Sequence, residues 1–153
     1  MKYLILGDGR HGKDTAAEII TELTGLSFMG SSMAACEKVV FPQMKGYRTV
    51  QGCYEDRVNW REKWFELIQD YNSAEPDRLC REILAEHDGY VGMRCAREYE
   101  AARRHFGMII WVNAYPRVPL DPTMKIKWHP GMVTVHNVGP VDELRKQLEE
   151  LFR

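Results

Sequence analysis

Residues Gly7 to Thr15, GDGRHGKDT, combine residue types and a spacing that suit one definite chemistry, the grip on a phosphate chain. Gly7, Gly9 and Gly12 leave backbone N–H groups uncovered, Lys13 adds a cation on a long stem, and together they can wrap an anion. The spacing Gly7-x4-Gly12-Lys13 is that of a Walker A loop up to its last letter, where Asp14 replaces the usual serine or threonine. A hydroxyl at that place ordinarily meets Mg2+ while the lysine reaches the outer phosphates. Asp14 can serve instead, because a carboxylate is a good oxygen ligand for this hard cation, directly or through water. Its charge also suits a helix start, where anions gain roughly 0.3–1 kcal/mol. A second assignment stays open: Asp14 is only a cap, and Thr15 or the substrate phosphates hold the metal. Arg10 and His11 lie inside the loop, where His11 can approach a phosphate.

A phosphate chain calls for further cations, and arginine forks suit it best. Arg94 and Arg97 follow the apolar YVGM stretch, at the carboxyl end of an expected parallel strand, where open α/β sheets place ligands. Arg57 and Arg61 stand four apart on a helix expected from about Glu55 to Tyr71, whose Trp60, Trp64, Ile68 and Tyr71 form one apolar stripe. They can point together into a cleft, or form a solvated flank paired with Glu55, Asp56 or Glu62. Arg103 and Arg104 read as surface charge. Arg117, within AYPRVPLDP, belongs to a proline-rich stretch that is either a short lid over the phosphates or a plain loop. Trp64 reads as core, whereas Trp60 is equally suited to core packing and to stacking on a nucleobase.

The elements that must position these residues follow from periodicity. Lys2 to Leu6 is a short apolar run, and Ala16, Ile19, Ile20 and Leu23 repeat at helical spacing, with Gly25 placed as a C-cap. Ser31-Ser32 can cap a second helix running to about Val40, and Phe41 to Gly52 reads as a loop. Pro76, Leu79 and Ile83 mark another helix; YVGMR, Met108 to Val112 and Met132 to His136 read as strands. Tyr99, Ala102 and Phe106 give a helix between them, and Pro140 followed by Asp142 and Glu143 opens a last one. Strands alternating with helices predict an α/β fold, a parallel sheet with helices on both faces, in a single domain over residues 1–153.

Composition narrows the partners. With 21 basic and 22 acidic residues the net charge of −1 argues against a nucleic-acid polymer, and no apolar run is long enough for a membrane span. The apolar start is too short for a secretory leader. Cys36, Cys53, Cys80 and Cys95 fit neither a zinc pattern nor a disulfide scaffold, which reads as reduced thiols of a cytoplasmic protein. The five histidines show no metal-binding spacing. A homodimer is compatible with the sequence.

The chain resembles deoxynucleoside monophosphate kinases of the bacteriophage type, within the P-loop nucleotide kinases. GKDTAAEII is similar to their phosphate loop, in which aspartate commonly follows the lysine. YEDRVNWREKWFELIQDYN, YVGMRCAREYEAARR, IIWVNAYPRVPLDP and HNVGPVDELRKQLEEL extend the likeness over most of the chain. The resemblance implies ATP and Mg2+ as cofactors, a (deoxy)nucleoside monophosphate as acceptor, and the cytoplasm of a phage host as the setting. It implies that Arg94 grips the acceptor phosphate, as the arginine of an adenylate kinase D-G-F-P-R block does. It also implies that Asn137 and Gly139 form an adenine-side loop. Two positions depart from the pattern: Gly92 stands where relatives carry an aspartate, so that acid is missing or supplied by Asp88 or another residue, and Trp60 replaces an expected histidine. A kinase of a non-nucleotide small molecule, a protein that binds ATP without transfer, and an interaction module built on the tryptophan helix are the rival readings.

Overall fold

Leu4, Ile5 and Leu6 of strand β1 (Tyr3–Leu6) are fully buried, so both faces of the strand are covered and the run is apolar without alternation. That is the position of a central parallel strand, and the computed structural model, which describes residues 1–153, places it there. Five parallel strands run in the order β2-β3-β1-β4-β5, with β2 at Phe28–Gly30, β3 at Gly89–Val91, β4 at Met108–Asn113 and β5 at Val133–His136. Ile5 is in register with Val91 on one side and Ile110 on the other.

Alternate side chains of the strands build two cores. Ile5, Val91, Ile110 and Val135 face helices α1 (Lys13–Thr24) and α7 (Val141–Leu151), meeting Ile20, Leu144 and Leu148. Leu4, Leu6 and Tyr90 face the opposite way. There they meet α2 (Ser31–Ala35), α3 (Val50–Glu55), α4 (Arg61–Tyr71), α5 (Arg78–Glu86) and α6 (Ala96–Ala102). Each buried Ile or Leu contributes roughly 1.5–3 kcal/mol. The expected α/β architecture, helices on both faces of a parallel sheet, is therefore the observed one. No helix is long and apolar enough to cross a membrane. All four cysteines are free, three buried and Cys95 exposed.

Gly25 ends α1 in the left-handed conformation at φ 78°, as its position predicts. Three expectations need correction. Ser31 and Ser32 lie inside the first turn of α2 and do not cap it; Ser31 Oγ instead donates to Gly92 O at 2.8 Å, and the helical path to Val40 is completed by a π-helical turn, Cys36–Val40. The loop after Phe41 ends early, because Thr49 caps α3 by accepting from the Gly52 N–H at 3.0 Å. The long helix from Glu55 to Tyr71 is broken. A 3-10 turn spans Asp56–Asn59, and Trp60, at φ −131°, stands outside the helix that follows. The cause is local: the Asp56 carboxylate accepts from Tyr47 Oη, Asn59 Nδ2 and Trp60 Nε1, offering these groups an alternative to helical geometry.

Asp77, at the start of α5, is nearly buried and accepts from His105 Nε2 at 2.8 Å, with Arg81 Nε at 3.5 Å and Arg104 Nη2 at 3.7 Å. The His105 hydrogen bond foremost, and the Arg81 charge after it, hold its carboxyl below the usual carboxylate range against the opposing effect of burial. Asp77→Asn should lower unfolding free energy by about 1–3 kcal/mol at neutral pH, measured by urea denaturation. A depressed folded pKa gives stability that is present above the unfolded value of about 3.9 and is lost as pH falls through the folded one. The gap between wild type and variant should therefore close in acid.

Candidate functional site

The chain leaves β1 at Gly7 and enters α1 at Lys13, so the loop between them sits at the carboxyl edge of the sheet. Here β1 lies between β3 and β4, and the chain reverses its direction of progress across the sheet. Open α/β sheets form their ligand crevice at such a switch point. The loop is tightly fitted. A Cβ on Gly7 would lie 2.5 Å from the carbonyl oxygen of Val112, and one on Gly12, at φ +100°, would lie 2.3 Å from Asn137 Nδ2. Arg10 is the one non-glycine residue with positive φ, 65°, and closes the turn in which His11 N–H donates to Asp8 O at 3.2 Å. Gly7→Ala should destabilise the protein by about 1–3 kcal/mol through backbone displacement, readable as a lowered urea midpoint.

Lys13 Nζ is folded back on the loop, donating to Gly7 O at 2.9 Å and Asp8 O at 3.0 Å. Burial, and then the positive charge of Arg94, lower its pKa; the carboxylates of Asp14, Asp8 and Asp121 oppose this. An anion placed among these groups would relieve the crowding of two cations. Asp14 and Thr15 are exposed on the first turn of α1, where their oxygens are available to a cation.

Opposite the loop, Arg94 emerges beyond β3. Its Nη1 donates to Asp121 Oδ2 at 2.8 Å and to Thr123 Oγ1 at 2.6 Å, and the Gly9 N–H donates to the same carboxylate oxygen at 3.3 Å. The other oxygen of Asp121 accepts from Thr123 N at 2.9 Å and Thr123 Oγ1 at 2.7 Å. These Thr123 bonds, with Arg94 and Gly9 behind them, hold the carboxyl down to about 2. Asp8 is nearly buried and accepts from the Asp121 N–H at 3.0 Å. A cavity of about 470 Å³ opens beside Asp8 and Asp121, walled by Trp111, Leu120, Met124 and Trp128.

Arg94, Arg117 and Asn137 gather around the loop. Arg117 Nη2 and Nε donate to Asn137 O at 2.7 and 3.1 Å, and Asn137 Nδ2 donates to His11 O at 3.0 Å. Gly139 lies farther on, at the start of α7, close against Glu143. Other positions differ from expectation. His11 is fully buried, with Nδ1 accepting from the Ala114 N–H at 2.9 Å and Nε2 bonded to Pro119 O at 3.0 Å, so its ring faces the protein and not a phosphate. Accepting at Nδ1 assigns a neutral ring its proton at Nε2.

Arg57 and Arg61 are separated by the break at Trp60. Arg57 stacks 4.0 Å from the Tyr54 ring centroid, while Arg61 lines a separate surface hollow with Glu62, Phe65 and Glu66. Trp60 is 46% exposed with its N–H held by Asp56, and Arg97 reaches Ser73 O. None of these four bonds to a residue of the loop.

Asp88 cannot replace the acid absent at Gly92. It accepts from Ser27 N at 2.8 Å at the amino end of β3, the wrong edge of the sheet. Gly92 itself adopts φ +92°, which an aspartate would hold only under strain. The acids near Lys13 that sequence reasoning passed over are Asp8 and Asp121. The signal for Asp121 was present in its sequence setting, Asp-Pro-Thr, since an aspartate side chain readily bonds the backbone N–H two residues on.

No family model matches the sequence, and no curated protein does. Solved structures share its fold. The shikimate kinase of Aquifex aeolicus VF5 superposes with a TM-score of 0.52 at 11% identity, over 99% of this chain and 96% of that one. TT1252 from Thermus thermophilus gives a TM-score of 0.54 at 13% identity, again over 99% and 96% of the two chains. The fold is thus an α/β fold, a five-stranded parallel sheet with helices on both faces, which the Aquifex aeolicus shikimate kinase also adopts.

Proposed function

We propose that this chain is an ATP-dependent kinase whose acceptor is a (deoxy)nucleoside monophosphate. The observation that carries the reading is the Gly7 to Lys13 loop. It has no room for a Cβ at Gly7, a left-handed Gly12 at φ +100°, a lysine folded along it, and an arginine facing it from the end of β3. These residues fit a nucleotide polyphosphate, and Asp14 and Thr15 would hold Mg2+, which when bound neutralises phosphate oxygens. Lys13 leaves the Gly7 and Asp8 carbonyls for the outer phosphates and stabilises the charge that spreads over the transferring group. Arg94 grips the acceptor phosphate with its fork. Arg117 and Asn137 cover the loop from the side of β5, and the 470 Å³ cavity with Trp111 and Trp128 is of a size to take the rest of the acceptor. The acceptor oxygen is already anionic, so no general base is required.

A second reading, a non-nucleotide acceptor, is favoured by the placement of Arg57, Arg61 and Trp60, which leaves Arg94 without the expected companions. It is also the kind of acceptor that the name of the Aquifex aeolicus enzyme gives for that protein. ADP release from MgATP, measured across the ribo- and deoxyribonucleoside monophosphates and with shikimate as a hydroxy acid, separates the two. Stimulation by at least one monophosphate supports the nucleotide reading; stimulation by a hydroxy acid alone overturns it.

A further inference from the structure

We propose that the Asp121 carboxylate is an internal occupant of an anion subsite formed by the Gly9 amide and Arg94, and that a phosphoryl group entering this subsite displaces it. The inference rests on the Gly7 to Thr15 loop being a polyphosphate cradle. One Asp121 oxygen takes a loop N–H at 3.3 Å and a guanidinium N–H at 2.8 Å, the donor pair that a phosphate oxygen would take at the same place. The oxygen lies inside the mouth of the loop, for a Cβ on Gly9 would come within 2.7 Å of it.

The carboxylate is aimed there by its own turn. Thr123 N and Oγ1 hold the second oxygen, and the Asp121 N–H is fixed to Asp8. The segment that carries it is anchored to the loop a second time, through Pro119 O on the buried His11 ring. With its carboxyl held to about 2, Asp121 is fully charged at neutral pH and offsets the cations Arg94 and Lys13. A phosphoryl group and a carboxylate cannot share Arg94 Nη1 and the Gly9 amide without like-charge repulsion. With its side chain 19% exposed and that of Arg94 51% exposed, Asp121 can leave by rotating toward solvent. Asp121 thereby sets how tightly the cradle holds an anion and keeps Arg94 oriented until one arrives.

Calorimetric titration of the full-length protein with inorganic tripolyphosphate at neutral pH tests this. Asp121→Asn and Asp121→Ala, each checked for a native circular dichroism spectrum, should tighten binding by about fivefold or more. Glu149→Gln, the same charge change at an exposed position of α7, should not. In an Arg94→Gln background the gain from Asp121→Asn should shrink to less than about twofold, because the shared donor is gone. Unchanged or weaker binding in both Asp121 variants overturns the proposal, as does a gain that persists undiminished without Arg94. If wild type binds tripolyphosphate and Lys13→Ala weakens it while the Asp121 variants do not tighten it, only the role of Asp121 falls. If neither wild type nor variants bind it, the cradle reading falls as well.

Discussion

Lys13→Ala should reduce phosphoryl transfer by roughly 10²–10³-fold or more, the usual effect of removing a preorganised charge from a transferring group. The side chain lies along the loop, with Nζ on Gly7 O and Asp8 O, from which it would swing to a phosphate, and burial with the Arg94 charge weakens its hold on its proton. A polyphosphate relieves both effects, so binding energy and catalysis draw on the same group. Only two hydrogen bonds to loop carbonyls are lost, at about 1 kcal/mol net each, so the thermal midpoint should fall by about 4–8 °C. ADP release and a melting curve on the same sample separate loss of chemistry from loss of fold. Lys13→Arg should rescue little, because a planar fork does not fit where a compact ammonium sits between two carbonyls about 3 Å away.

Arg94→Ala should raise the KM for the acceptor by about ten- to a hundredfold, as expected for losing hydrogen bonds between charged groups, worth about 1.5–3 kcal/mol. The KM for ATP should rise by less than that for the acceptor, because the loop and Lys13 remain. In the structure Arg94 spends its donors on Asp121 and Thr123, so its removal also leaves Asp121 held by Thr123 and the Gly9 amide alone. Arg94 is half exposed, and Asp121 keeps its bonds to Thr123 and the Gly9 amide, so the variant should remain folded. Steady-state kinetics with each substrate varied in turn reads the split. A normal acceptor KM would remove Arg94 from the site.

The frame of the molecule was legible in its sequence because its signals are local. A short apolar run with no alternation, ended by a glycine, reads as a covered strand, and a helical stripe following glycines at Walker spacing places a loop at the sheet edge. What escaped was set by side-chain and tertiary contacts that apolar periodicity does not report. The break at Trp60 comes from the Asp56 side chain bonding three neighbours, one of them Tyr47 on a different segment. Three-residue β2 carries no periodicity, and is fixed by Phe28 packing where Gly89 leaves room for its ring. Lys13, Arg94, Arg117 and Asn137 lie together at the carboxyl edge of the sheet, around the first loop. His11 faces inward, however, because its ring nitrogens meet Ala114 and Pro119, more than a hundred residues away in the chain. Asp121 meets Asp8 and Gly9 of the loop across a similar separation, so that Asp-Pro-Thr marks its turn but no local pattern reveals where the turn docks.

Titration of isotope-labelled protein with MgATP, followed through its backbone amide spectrum, tests most directly whether the first loop is a polyphosphate cradle. The largest saturable shifts should fall on the amides of Gly7 through Thr15, and Lys13→Ala should remove them without altering the rest of the spectrum. Shifts confined to other parts of the chain, or none at millimolar ATP, would contradict it.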